Sequence, residues 1–201
     1  MTPTRRDALL AAAGLLAAPP AFAADALRPT PAQTEGPFYP DVMPAETDPD
    51  LVQTARRQAK GELLDLRGQV LGLDGRPVPG AMVEIWQCDA NGRYIATADA
   101  RRGGGDPGFQ GFARLKVGAD GRYAFRTIKP VAYPGRTPHI HYKVYRPDGR
   151  VLTTQMLVQG EPQNERDGVF RQLAPADRSL VLARLDRAPA GWRTQWDVVL
   201  A

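Results

Sequence analysis

Four times between residues 74 and 149 an Asp-Gly or Asn-Gly pair interrupts a short apolar run: Asp74-Gly75, Asn91-Gly92, Asp120-Gly121 and Asp148-Gly149. Such pairs tolerate the left-handed backbone that a tight turn needs, and between alternating runs they mark hairpins or turns. The runs they separate are LLDLRGQVLGL (63–73), AMVEIWQCD (81–89), FARLKV (112–117), RYAFRTI (122–128), HIHYKVYR (139–146) and VLTTQMLV (151–158). A last strand is expected in WRTQWDVVL (192–200), and PADRSLVLARLDR (175–187) reads as one short helix. The fold class that follows is all-β: an antiparallel β-sandwich of about seven or eight strands, with an extended N-terminal arm and at most one short helix.

Length and composition narrow the rest. A chain of 201 residues suits one domain with a real core. With 43% hydrophobic and 24% charged residues it is globular rather than disordered. The net charge of +4 comes from arginines scattered along the chain, with no basic stripe interleaved with aromatics, so nucleic acid is not an expected partner. Cys88 is the only cysteine, so no intramolecular disulfide exists and the residue reads as a small buried side chain.

The chain begins MTPTRRDALLAAAGLLAAPPAFAADA, with Arg5-Arg6, an apolar run from Ala8 to Ala18 and a small-x-small site at Ala21-Phe22-Ala23. Residues 1–23 are therefore expected to be a twin-arginine-like export signal, which places the mature protein in the periplasm or outside the cell. No other run is long enough to span a membrane, so no membrane association is expected after the signal is removed. Residues 24–62 read as the proline-rich arm and 63–201 as the sandwich. The glycine-rich stretch RRGGGDPGFQG (101–111) joins two strand runs and lacks a strand-to-helix phosphate-binding pattern, so it reads as a surface or active-site loop.

The only two histidines, His139 and His141, are two apart in one strand run. On a β-strand they project from the same face, with Ile140, Tyr142 and Val144 on the other. Two imidazoles on one face are half a metal site. With no further histidine, additional ligands have to be oxygen donors, either carboxylates or phenols. A carboxylate suits ferrous iron, whereas the hard anionic phenolates of Tyr133 and Tyr94, the nearest candidates, favour Fe(III).

Four segments taken together, TEGPFYP, GQVLGLDGRPVPGAMVEIWQCDANGRY, DGRYAFRTIKPVAYPGRTPHIHYKV and TTQMLVQGEP, resemble the intradiol ring-cleavage dioxygenases, the family of the catechol and protocatechuate 3,4-dioxygenases. The resemblance runs from Thr34 to Pro162. It implies a non-haem Fe(III) held by Tyr94, Tyr133, His139 and His141. It further implies an active-site arginine at Arg136, a glutamine near the substrate and oxygen site at Gln155, and pocket lining from Pro37, Phe38 and Tyr39. The implied partners are a small aromatic ortho-diphenol and O2, and the product is a muconate-type diacid. Homo-oligomers are common in the family and are an expectation here. Only PGRTP separates Tyr133 from His139, where larger members carry a longer insertion, so a more open pocket is expected. The competing reading from the fold alone is a non-catalytic, transthyretin-like binding module.

Overall fold

The computed structural model describes residues 27–54, 57–95, 103 and 105–201. The export signal expected at 1–23 and part of the glycine-rich loop lie outside the described residues. Among the described residues ten strands form: β1 (Leu63–Gly72), β2 (Met82–Trp86), β3 (Phe112–Lys116), β4 (Arg122–Ile128), β5 (His139–Tyr145), β6 (Val151–Val158), β7 (Leu182–Ala183), β8 (Asp186–Ala188), β9 (Gly191–Gln195) and β10 (Val198–Leu200). Two 3-10 turns, Pro162–Arg166 and Pro175–Val181, and one short helix, α1 (Gly168–Gln172), lie between β6 and β7. Among the described residues no helix is long and apolar enough to cross a membrane.

The strands make two five-stranded sheets. In the first, β1 pairs antiparallel with β4, and parallel with β9 and β10, while β8 extends the sheet beyond β9. The second has the order β3-β2-β5-β6-β7. Inward side chains of both sheets, including Leu64 and Leu66 from β1, Val83 and Ile85 from β2, Phe125 from β4, and Ile140, Tyr142 and Val144 from β5, form one continuous core. Each such fully buried side chain stabilises the fold by roughly 1.5–3 kcal/mol.

The sandwich is as expected, with three local differences. The β1–β9, β1–β10 and β6–β7 pairings are parallel rather than antiparallel. The helix expected over 175–187 is a 3-10 helix confined to Pro175–Val181 and followed by β7 and β8, because Leu182-Ala183 pair with Leu157-Val158 at the sheet edge. The expected strand at 192–200 is broken at Trp196-Asp197, where the Trp196 N–H donates to the Arg67 carbonyl at 2.8 Å and Asp197 Oδ1 accepts from the Gln69 N–H at 2.9 Å. Gly68 makes that approach possible, since a Cβ there would collide with the Trp196 carbonyl and the Tyr123 hydroxyl that donates to it.

His139 and His141 lie on the face of β5 opposite Ile140, Tyr142 and Val144, so they point outward from the second sheet. They are nevertheless buried, because the N-terminal arm covers this face. The Gln33 N–H donates to the Thr153 carbonyl at 2.9 Å, the Gln155 side chain to the Thr34 carbonyl at 2.9 Å and Lys143 to Glu35 at 2.6 Å. The Tyr39 hydroxyl then donates to buried Glu84 at 2.8 Å. These contacts turn an outer face into a second, aromatic core of Trp86, Cys88, Tyr94 and Phe112, bordered by Phe38, Tyr39 and Tyr133.

Candidate active site

Strand pairing sets the floor of the site. Gln155 on β6, His141 on β5, Trp86 on β2 and Phe112 on β3 are register partners in one row across the sheet. The Trp86 indole lies on the His141 imidazole, with centroids 4.7 Å apart and planes 10° from parallel. His139, two residues away along β5 on the same face, donates from Nδ1 to the Thr137 carbonyl at 2.6 Å. That bond leaves its Nε2 lone pair free and aimed into the site.

Two turns bring in the phenols. Tyr133-Pro134-Gly135-Arg136 is a β-turn closed by the Arg136 N–H donating to the Tyr133 carbonyl at 2.9 Å, with Gly135 at φ 82°. Proline at the second position and a left-handed glycine at the third favour this type II geometry, and it sets Tyr133 and Arg136 side by side. Tyr94 follows a turn built on Asp89, whose Oδ1 accepts from the Asn91 N–H at 2.8 Å and the Arg93 N–H at 3.0 Å. A Cβ on Gly92, at φ 75°, would lie 3.1 Å from the Tyr133 Cβ, so this glycine lets the two turns meet.

The result is a tight triangle of donor atoms. Tyr94 Oη lies 3.3 Å from His139 Nε2 and 3.1 Å from His141 Nε2, and the two Nε2 atoms are 3.2 Å apart. The Tyr133 ring stands 5.8 Å from that of Tyr94 and 5.6 Å from that of His139, and its backbone is hydrogen-bonded to that of Arg136 across the turn. Donors held 2.0–2.1 Å from one ion at right to tetrahedral angles stand about 3 Å apart. Phenol and imidazole together are a hard, partly anionic set of the kind that suits Fe(III). Among the described residues no three of His, Cys, Asp and Glu converge in this way, so the set is completed by phenols. The three facing atoms, one phenol oxygen and two imidazole Nε2 nitrogens, all carry lone pairs and share at most the phenol proton and one imidazole proton, so lone pairs are left over for an ion at their centre. The residues present fit the metal that the resemblance implies.

Burial governs their ionisation. It holds Tyr94 well above the ordinary phenol value, with Tyr133 adding to the effect. Burial also raises Tyr133, but the Tyr94 hydrogen bond and the Arg136 charge work against it. Desolvation pushes His139 down to about 4 and His141 well below 6.5. Both imidazoles are thus neutral at ordinary pH, as ligands must be.

Arg136 is held from two sides. Its Nε donates to Asp167 Oδ2 at 2.9 Å, and its Nη2 donates to Gln155 Oε1. The structure therefore places Gln155 against the arginine. Phe38 stacks on Tyr94 and forms a wall, whereas Tyr39 is one layer away, edge-on to Trp86 at 5.0 Å, and Pro37 is exposed. A cleft of about 480 Å3 opens beside the donors, lined by Tyr133, Arg136, Thr137, Gln163, Arg166 and Asp167 among others. Tyr133 borders both the cleft and the buried donor cluster. Cys88 is buried with its thiol pushed up to about 12, which suits a packing role. Sequence reasoning missed the carboxylates Asp89 and Asp167, both fully or nearly fully buried. The one signal for Asp167 is its position as a helix N-cap, where it accepts from the Val169 and Phe170 N–H groups.

A sandwich carrying this constellation defines a class, the ring-cleaving dioxygenases. The family model described as Dioxygenase matches residues 34–201. The chain is 36% identical over 167 residues to the protocatechuate 3,4-dioxygenase beta chain of Burkholderia cepacia, covering 76% of this chain and 71% of that one. It is 32% identical over 206 residues to the hydroxyquinol 1,2-dioxygenase of Corynebacterium glutamicum, covering 86% of this chain and 64% of that one. The solved dioxygenase domain of a dioxygenase and carbohydrate-binding protein fusion from Streptomyces sp. SirexAA-E superposes with a TM-score of 0.70 at 35% identity, covering 86% and 98% of the two chains. The chain belongs to the intradiol ring-cleavage dioxygenases, which are oxidoreductases, and these relatives do not favour the binding-module reading.

Proposed function

We propose that this chain is a non-haem Fe(III) dioxygenase that cleaves a small aromatic ortho-diphenol between its two hydroxylated carbons, with O2, to a muconate-type diacid. The observation that carries the proposal is the convergence of Tyr94, His139 and His141 within 3.1–3.3 Å of one another, with Tyr133 and Arg136 beside them. Tyr94, Tyr133, His139 and His141 would hold the metal. When bound, it supplies a Lewis acid to which both diphenol oxygens can attach.

The residues divide the remaining work. Tyr94 is only 3% exposed and stacked under Phe38, so it stays in place. Tyr133 is half-buried at the cleft, and as the phenolate that metal binding would require it is the group placed to take a proton from an entering diphenol. Arg136, fixed by Asp167 and Gln155, presents a positive charge where negative charge develops on the ring. His139 is held in one tautomer by the Thr137 carbonyl, and the arm with Phe38 excludes water from the buried phenol. Export before residue 24 through the twin-arginine route, which carries folded proteins, fits a protein loaded with metal beforehand.

The test is a visible absorption spectrum and iron analysis of the mature protein, before and after anaerobic addition of catechol or protocatechuate. The expected result is a broad tyrosinate-to-Fe(III) band that moves to longer wavelength with the diphenol. A protein that stays colourless after Fe(III) reconstitution would exclude the proposal.

A further inference from the structure

The 3-10 turn at Pro162–Arg166 and helix α1 contribute no expected ligand or substrate contact, yet one of their carboxylates reaches into the site. The Asp167 side chain is 0% exposed, and both of its oxygens are filled by protein donors. Oδ1 accepts from the Val169 N–H at 2.9 Å and the Phe170 N–H at 3.1 Å, which caps α1. Oδ2 accepts from Arg136 Nε at 2.9 Å and from the Thr137 N–H at 2.9 Å. A helix cap needs only the first oxygen. The second serves the site.

Thr137 is also gripped by Asn164, whose Oδ1 accepts from the Thr137 hydroxyl at 2.6 Å and whose Nδ2 donates to the Val158 carbonyl at 2.9 Å. The Thr137 carbonyl in turn receives the His139 Nδ1 proton at 2.6 Å. One carboxylate oxygen therefore touches both the guanidinium and the peptide that orients a histidine. We infer that Asp167 is a positioning residue for the ring-cleaving site that acts through Arg136, which it aims through Nε, while Asn164 keeps its own hold on Thr137 and so on the His139 tautomer. This rests on the function proposed above. Its four donors leave Asp167 no free lone pair with which to bind a metal or accept a substrate proton, so its work is geometric.

Two variants separate this role from capping. In Asp167→Asn the amide keeps one acceptor oxygen. If that oxygen caps α1, the NH2 group faces Arg136 Nε and the Thr137 N–H, donor against donor. Asp167→Ser keeps a capping hydroxyl and removes Oδ2 outright.

The experiment compares wild type, Asp167→Ser, Asp167→Asn, Arg136→Gln and the Asp167→Ser/Arg136→Gln double variant. Turnover of catechol, the iron band, thermal midpoints and the Arg136 Nε–H resonance of the metal-free, 15N-arginine-labelled protein are measured, with that resonance assigned by its loss in Arg136→Gln. Asp167→Ser should lower kcat about 10–100-fold with KM little changed, the usual scale for removing a support behind a site residue. It should add less than about threefold in the Arg136→Gln background, as expected when one residue acts through another. The Nε–H signal should shift and exchange faster in both Asp167 variants. Normal wild-type turnover with an unmoved Nε–H signal in a folded variant, or losses that multiply in the double variant, would overturn the positioning role alone. Wild-type protein without turnover or iron colour would instead be a failure of the ring-cleavage reading. If Asp167→Asn does not fold, Asp167→Ser carries the comparison.

Discussion

Phe38 lies flat on Tyr94, with ring centroids 4.4 Å apart and planes 9° from parallel, so a residue of the N-terminal arm seals one face of a buried donor. Burial is the largest cause of the raised Tyr94 pKa, and Phe38 supplies part of that burial. Phe38→Ala should admit water to the phenol and lower its pKa. In metal-free wild type, Tyr94 should stay protonated until alkaline unfolding. In the variant, one additional tyrosine should ionise before unfolding, read as absorbance near 295 nm. An unchanged titration would mean that the arm does not control hydration of the site.

Gly68 tests the fold in the same residue-specific way. Its hydrogen occupies space between the Trp196 carbonyl and the Tyr123 hydroxyl, both fixed by their mutual hydrogen bond. Gly68→Ala has no flexible neighbour to displace, and the overpacking should cost about 3 kcal/mol. For a chain of this size that lowers Tm by roughly 6–12 °C. A calorimetric scan of the metal-free protein checks it.

What was legible in the sequence is what is local. The first six strand runs and their turns follow from alternation and Asx-Gly pairs, and the shared face of His139 and His141 follows from their spacing. Tyr133 and Arg136 are joined by Pro-Gly, itself a local turn signal. Asp167 meets Arg136 across 31 residues of chain, and no short-range pattern reports that. The apolar spacing at 180–185 resembles a helix, but an open edge on β6 captures Leu182-Ala183 instead. The irregular arm has no periodicity, so nothing in PFYP indicates that Phe38 meets Tyr94 while Tyr39 turns to Trp86 and Glu84.

The buried imidazoles set the acid limb of stability in the metal-free protein. Desolvation lowers His139 to about 4 and His141 well below 6.5, so between about 4 and 6.5 the unfolded chain binds more protons than the folded one. Stability therefore rises with pH across that window and falls on acidification, by about 1.4 kcal/mol per pH unit for each imidazole that stays neutral. Asp167 is depressed despite its burial, through its hydrogen bonds from the Thr137 N–H and Arg136. Its contribution is present above the ordinary carboxylate value and is lost as pH falls through its folded value, steepening the loss below about 4. Urea midpoints between pH 4 and 8 should show this slope, and His141→Gln should flatten it if the protein still folds.

Loading should reverse the ionisation of the phenols. In the metal-free protein burial keeps Tyr94 and Tyr133 protonated at neutral pH. Coordination to Fe(III) requires phenolates, so each tyrosine that binds must release its proton. Wild type should therefore release about one more proton per Fe(III) than Tyr133→Phe when both are loaded from the same soluble chelate in dilute indicator. The comparison between the two proteins cancels the chelate's own chemistry. Uptake by wild type should also steepen with pH, by about tenfold per unit more than the variant. The variant should keep a weaker charge-transfer band from Tyr94 alone, because Tyr94 is held by the Asp89 turn and not by the Tyr133 turn. Equal proton release from the two proteins would place Tyr133 outside the metal-binding set and leave it as a cleft residue beside Arg136.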